Sequence, residues 1–235
     1  MRSYLRFTRH YYYSLLMVVP IFIAYEIGIL WVHHTSQFHV RNLIDYFSKY
    51  IISHTGSSGF FCISVLGLVL LIIIARPKRD FLIFHISYFF WMLAESIIYS
   101  FLFAYLGECL GDFVQSCAIS DVHHGMAGVI LSLGAGIYEE LFFRALLFGG
   151  TACLLTSLFR LHLLLSAFIA MVISSAFFSL IHFWGNFADD FGLYSFLFRF
   201  VAGIFFCVFY KLRGFAVVVH THAIYDLLVT FDVFK

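Results

Sequence analysis

The stretch MAGVILSLGAGIYEELFFRALLFGGTACLLTSL, Met126 to Leu158, reads as a membrane-spanning helix that nonetheless holds three charges, Glu139, Glu140 and Arg144. On insertion scales each ionised side chain near the centre of such a helix costs roughly 2.5–3.5 kcal/mol, so charge kept there is usually functional. The helical repeat sorts the three residues. Glu140 and Arg144 stand one turn apart on one face and are expected to pair, while Glu139 points about 100° away. One carboxylate is thereby neutralised, and the other is expected to remain free.

Composition extends the membrane reading to the whole chain. Its 235 residues are 63% hydrophobic and only 11% charged, with a mean hydropathy of +0.97, whereas a soluble domain carries about 25% charged residues. A net charge of +1, with basic residues only in short clusters, argues against a nucleic-acid partner and leaves the lipid bilayer as the surrounding medium. Apolar runs of span length predict an all-α, polytopic transmembrane helical bundle of about seven spans. They fall near Tyr12–Val32, Gly59–Ala75, Phe81–Tyr105, Met126–Gly150, Leu163–Trp184, Leu193–Tyr210 and Phe215–Phe231. The first run is longer than a signal-peptide core and contains Pro20 and Glu26, so it is expected to remain as a helix.

Loop charges test this count. Arg2, Arg6 and Arg9, then Arg76, Lys78 and Arg79, then Arg160, then Lys211 and Arg213 fall in alternate loops. The opposite loops hold Glu108, Asp112, Asp121, Asp189 and Asp190, with Arg41 and Lys49 dissenting. The positive-inside rule then places the N-terminus in the cytoplasm and the C-terminus outside. No linker or repeat divides the chain, so residues 1–235 are expected to form one integral membrane domain with a motif-bearing core at about 126–231. Among the cysteines, Cys62, Cys153 and Cys207 read as small apolar fillers. Cys109 and Cys117 share an outer loop, where an oxidising compartment would let them pair.

Chemistry must come from polar residues inside the spans. Phe178 and His182 stand at i, i+4, so the ring can pack beside the imidazole and orient it. His222 and Asp226 are also one turn apart, which lets the carboxylate set the imidazole tautomer. His220 lies about 200° around the helix from His222 and is expected to be peripheral. A carboxylate with two imidazoles can activate water as a general base and stabilise an oxyanion, the inventory of a hydrolase. The same residues also admit a structural reading as a buried ion pair and packing contacts. Glu26, Glu95 and Arg199 are further intramembrane ionisable residues, expected to pair structurally, and His123 and His124 are expected to be solvated.

Three motifs occur in order on the later helices. Glu139-Glu140-Leu141-Phe142-Phe143-Arg144 matches EExxxR, Phe178-Ser179-Leu180-Ile181-His182 matches FxxxH, and His222-Ala223-Ile224-Tyr225-Asp226 is similar to HxxxN/D. Over about Gly134 to Leu228 the chain resembles the CPBP family of intramembrane proteases, which includes CAAX prenyl proteases and bacterial Abi proteins. That resemblance implies Glu139 as the base that activates water, Glu140 held by Arg144, and His182 orienting the water or the oxyanion. It further implies that His222 with Asp226 completes the oxyanion site. Asp226 departs from the asparagine of many members. An ionised aspartate only accepts hydrogen bonds, so it is expected to position His222.

The implied activity is hydrolysis of a peptide bond in a membrane-anchored or lipidated protein or peptide, without a metal or other cofactor. The other reading of the donors is zinc held by Glu139, His182 and His222 with an open fourth position, although H-E-x-x-H is absent. Ser132 lacks a nucleophile-elbow setting. Competing classes are a proton-coupled transporter, which would call for inverted repeats and broken helices, and a non-catalytic Abi-like immunity protein. The short chain without a targeting extension suggests a prokaryotic cell membrane. Glu139 lies about 20 Å along its helix from Met126 at ~1.5 Å per residue, whereas His182 ends its own helix. The expected site therefore lies within the bundle at mid-membrane depth, reached by a polar cavity.

Overall fold

The computed structural model describes residues 2–35, 67, 85–109, 125–184 and 189–233. The expected span Gly59–Ala75 lies outside the described residues, together with Arg41, Lys49, Arg76, Lys78, Arg79, Asp112, Asp121, Cys62, Cys117, His123 and His124. All regular structure among the described residues is helical. A short α1 (Arg2–Thr8) precedes α2 (Tyr11–Thr35) and α3 (Ile86–Cys109). One long rod, Met126–Ser157, follows; it begins as α4 (Met126–Gly134), widens into a π-helical segment (Ala135–Phe148) and ends as α5 (Gly149–Ser157). After it come α6 (Leu163–Ile181), α7 (Leu193–Arg213) and α8 (Phe215–Thr230).

Five of these helices are long and apolar enough to cross a membrane, and the shorter α8 joins them. The protein is a helical membrane bundle. The sequence boundaries need two corrections. The rod runs on to Ser157, past the expected Gly150, because Thr151 to Ser157 keeps forming helix despite Gly149 and Gly150. The N-terminal arginines lie on or beside α1, a separate helix that turns at Arg9–His10 into α2.

Helix α2 shows how such a sequence folds in lipid. Tyr13, Met17, Phe22, Tyr25, Ile29 and Val32 recur every three to five residues and are buried, while Ile23, Ile27, Leu30 and Trp31 are exposed. Both faces are apolar, so shape and close packing, not polarity, decide which face turns inward. The opposite extreme is α8. Every residue from Phe215 to Ala223 is buried, and α8 packs against α2, α3, α4, the π segment and α7. Its 16 residues span about 24 Å at ~1.5 Å per residue, less than a ~30 Å hydrocarbon core. Neighbouring helices enclose it, so its length need not match the bilayer.

Two glycines permit this arrangement. Gly214 joins α7 to α8 at φ 90°, where a β-carbon would be strained and would also meet Arg9 Cα and the Thr8 carbonyl, each at 3.1 Å. Gly136 faces α8, and a β-carbon there would lie 2.7 Å from the Val219 carbonyl oxygen and 2.8 Å from Ala223 Cβ. That close approach brings the glutamate-bearing segment onto the histidine-bearing helix.

Candidate active site

The π segment contributes the first carboxylates. In a π-helix the backbone N–H bonds five residues back, and such segments are frequent at functional sites; at its end the Gly149 N–H reaches the Arg144 carbonyl in this way. Ser174 of α6 supports the segment from outside, its hydroxyl donating to the Phe143 carbonyl at 2.6 Å. Glu140 and Arg144 are both fully buried and pair as expected, with Arg144 Nε 3.0 Å from Glu140 Oε2. Beyond this ion pair, none of the three guanidinium nitrogens makes a hydrogen bond among the described residues. Their charge lies instead over aromatic faces, 4.2 Å from the Phe178 ring centroid and 5.1 Å from that of Phe206. A desolvated cation–π contact stabilises by about 2 kcal/mol or more.

Helix α6 supplies His182 as its C-terminal cap. The 2.8 Å contact between His182 Nδ1 and the Phe178 carbonyl fixes the tautomer, because a carbonyl only accepts. Nδ1 therefore carries hydrogen, and in the neutral ring Nε2 keeps its lone pair. The Phe178 ring stands edge-on to His182 at 5.2 Å, as the i, i+4 spacing implied, and also meets His222 at 6.1 Å. One phenylalanine thus orders Arg144, His182 and His222.

Helix α8 brings His222, which is 5% exposed. Its Nδ1 lies 2.6 Å from Glu140 Oε1, and its Nε2 lies 3.5 Å from Asp226 Oδ2. Asp226 was expected to set the tautomer. The shorter contact shows that Glu140 does so, accepting from Nδ1 while Asp226 faces the other nitrogen. Phe206 stacks on the imidazole at 4.8 Å with planes 17° apart. Glu140 therefore joins Arg144 and His222 into one buried network across two helices.

Glu139 is half-buried and close enough to act electrostatically on His182, His222 and Asp226. The expectation that it stands free is corrected, since it too is engaged in the folded chain. All six expected residues, Glu139, Glu140, Arg144, His182, His222 and Asp226, thus fall in one cluster. The depths of Glu139 and His182 can be compared along the rod and α6. Glu139 lies 18 residues before Ser157 and His182 lies 19 after Leu163, so two arms of nearly equal length, about 27 Å and about 28.5 Å at ~1.5 Å per residue, rise from the connecting turn.

The remaining polar residues lie elsewhere. His220 is buried on another face of α8, where its Nδ1 donates to the Ala216 carbonyl at 2.8 Å and its ring meets Phe89 edge-on. Ser132 donates to the Gly128 carbonyl and meets Thr230. Glu95 accepts from Tyr4, Tyr99 and Arg213, which fastens α1 and α7 to α3. Glu26 accepts from Tyr138 at 2.6 Å, and Arg199 pairs with Asp189 and Ser195. These three charges were expected to pair among themselves or to line a substrate path; each instead has a structural partner outside the trio. Cys207 is buried as a filler should be, whereas Cys153 is exposed.

Sequence reasoning missed Phe206 and Ser174. Ser174 stands one turn before Phe178, a spacing that could have flagged it; Phe206 is one of many aromatics and carries no such signal. The alternative metal set consists of Glu139, His182 and His222. Among the described residues no group of three His, Cys, Asp or Glu side chains is arranged to hold a metal ion, and the two ring nitrogens of His222 face Glu140 and Asp226.

Residues 122–228 match a protein-family model described as Type II CAAX prenyl endopeptidase Rce1-like. No curated protein and no solved structure matches the chain. The matched stretch contains the whole cluster, and α1, α2 and α3 precede it.

Proposed function

We propose, from the premise that residues 122–228 match the Rce1-like type II CAAX prenyl endopeptidase family, that the chain hydrolyses a peptide bond in a membrane-anchored or lipidated protein using a water activated by Glu139. The observation that carries this reading is the division of labour between adjacent glutamates. Glu140 is committed to Arg144 and His222 in a fully buried network, whereas Glu139 is half-exposed within electrostatic reach of both histidines. A general base must reach water, and only the second environment allows that.

In this mechanism Glu139 takes a proton from water as the oxygen bonds to the scissile carbonyl carbon. The carbonyl becomes an oxyanion. His182, whose Nδ1–H is held by Phe178, holds the attacking water through Nε2. His222, as an imidazolium with Glu140 and Asp226 at its two nitrogens, offers its Nε2–H to the developing oxyanion. Collapse of the intermediate breaks the C–N bond, and the proton stored on Glu139 passes to the leaving amine. The products are a new carboxyl terminus and a released amine. Arg144 and the rings around it hold Glu140 in place throughout, which keeps the two carboxylates in separate roles.

The test compares the termini of membrane proteins in cells carrying wild type or Glu139→Gln. Glutamine keeps the volume and removes the proton acceptor, so turnover should fall by about 10²–10⁴-fold, and uncleaved precursors should accumulate while the variant stays folded. Turnover within threefold of wild type would end the assignment of Glu139 as the base.

A further inference from the structure

A cavity of about 690 Å³ lies apart from the glutamate–histidine cluster, and Arg9 and Lys211 line it. Its position follows from the chain path. Span termini gather here: the start of α2, the end of the rod, the start of α6, and the turn from α7 into α8. Such a gathering marks one membrane–water boundary. The rod lines one side from Ala145 to Ser157, a run of about 18 Å at ~1.5 Å per residue. Phe148 and Leu163 make that wall apolar.

Arg9 donates from Nη2 to the Lys211 carbonyl at 3.2 Å, which holds its guanidinium beside the lysine. Among the described residues neither side chain meets a carboxylate. Lys211 and Arg9 are both exposed, as cations facing a headgroup layer would be. Paired cations above an elongated apolar wall match an amphiphile with an anionic phosphate at one end and hydrocarbon at the other. A cavity of this size lies within the range of small-ligand sites, and basic pockets between transmembrane helices bind anionic headgroups.

We infer that Arg9 and Lys211 hold the phosphate of an anionic phospholipid from the surrounding leaflet, whose chain lies along the Phe148–Leu163 wall. The occupant is a lipid because the apolar wall has no use for a free phosphate. Neither residue belongs to the glutamate–histidine cluster, so the inference stands apart from the proposed hydrolysis.

The experiment uses the purified, delipidated full chain in neutral detergent, with thermal shift and native mass spectrometry as readouts. Phosphatidylglycerol, phosphatidylcholine and inorganic phosphate are the probes. The wild type should bind phosphatidylglycerol at least tenfold more tightly than phosphatidylcholine. Arg9→Gln with Lys211→Gln should abolish that preference, and raised salt should weaken it. Equal binding of the two lipids by wild type, or a preference that survives the double substitution, would overturn the inference. Protection by inorganic phosphate alone, equal to that by phosphatidylglycerol, would overturn the lipid assignment. Should the double variant fail to fold, Ala152→Trp decides, since it narrows the apolar wall without touching either cation. Loss of phosphatidylglycerol binding there supports the site, and unchanged binding rejects it.

Discussion

Glu139 and Glu140 differ by one position and by everything around them. Glu140 forms an ion pair with Arg144 and accepts from His222, with no exposed surface. Replacing it by glutamine leaves a buried guanidinium without its counter-ion, a change that typically costs about 3–5 kcal/mol. Glu140→Gln should therefore lower folded yield and thermal stability as well as turnover. Clean folding with turnover alone lost would exchange the roles of the two glutamates. The histidines of α8 give a sharper contrast. His222 lies among three carboxylates and His220 against Ala216 and Phe89. His222→Ala should abolish peptide cleavage, while His220→Ala should leave it within a few-fold, measured on the same purified substrate. Equal losses would show that the two faces of α8 are not functionally distinct. At this scale the sequence was highly legible, because i, i+4 spacing reports which side chains share a face. What it concealed was the contact between helices: nothing local to Glu140 says that His222, 82 residues away, will take its second oxygen.

Elements explain why that contact exists. The sequence placed most spans to within a few residues, since a long apolar run can only be a helix in lipid. It did not show the π geometry of Ala135–Phe148, because an i→i+5 ladder leaves no hydrophobic period of its own in a stretch that is apolar all round. Nor did it show that α8 is enclosed, as hydropathy treats a helix surrounded by protein and one surrounded by lipid alike. The join between these two elements is Gly136. A β-carbon there meets the Val219 carbonyl and the Ala223 backbone N–H at 2.7 and 3.0 Å, and backbone atoms cannot turn aside as a flexible side chain would. Gly136→Ala should push the π segment off α8, at the 1–3 kcal/mol typical of overpacking, about the scale of a marginal loss of stability. The separation should also lengthen the Glu140–His222 contact, so turnover should fall further than thermal stability alone accounts for. A variant with wild-type turnover would show that the close approach is not needed to align the site.

For the whole molecule the open question is which end faces the cytoplasm, and the fold makes it answerable with one helix. Helix α6 alone separates the turn at Arg160 from the segment at Asp189 and Asp190, so those two positions should lie on opposite sides of the membrane. The positive-inside rule assigns the Arg160 end, together with Arg9, Lys211 and Arg213, to the cytoplasm. In a background whose five cysteines are replaced by serine or alanine, Asp190→Cys should react with an impermeant maleimide in intact cells. Arg160→Cys should react only after the membrane is opened. The reversed pattern would invert the protein and send the Arg9–Lys211 cavity to the outer leaflet. Labelling of both from outside would remove α6 as a crossing helix. The expected result has a consequence for the site. His182 caps the end of α6 away from Arg160, so the proposed catalytic cluster would open nearer the outer half of the bilayer. The phosphate-binding cavity would then draw on the cytoplasmic leaflet, where anionic lipids create the surface potential that its two cations can use.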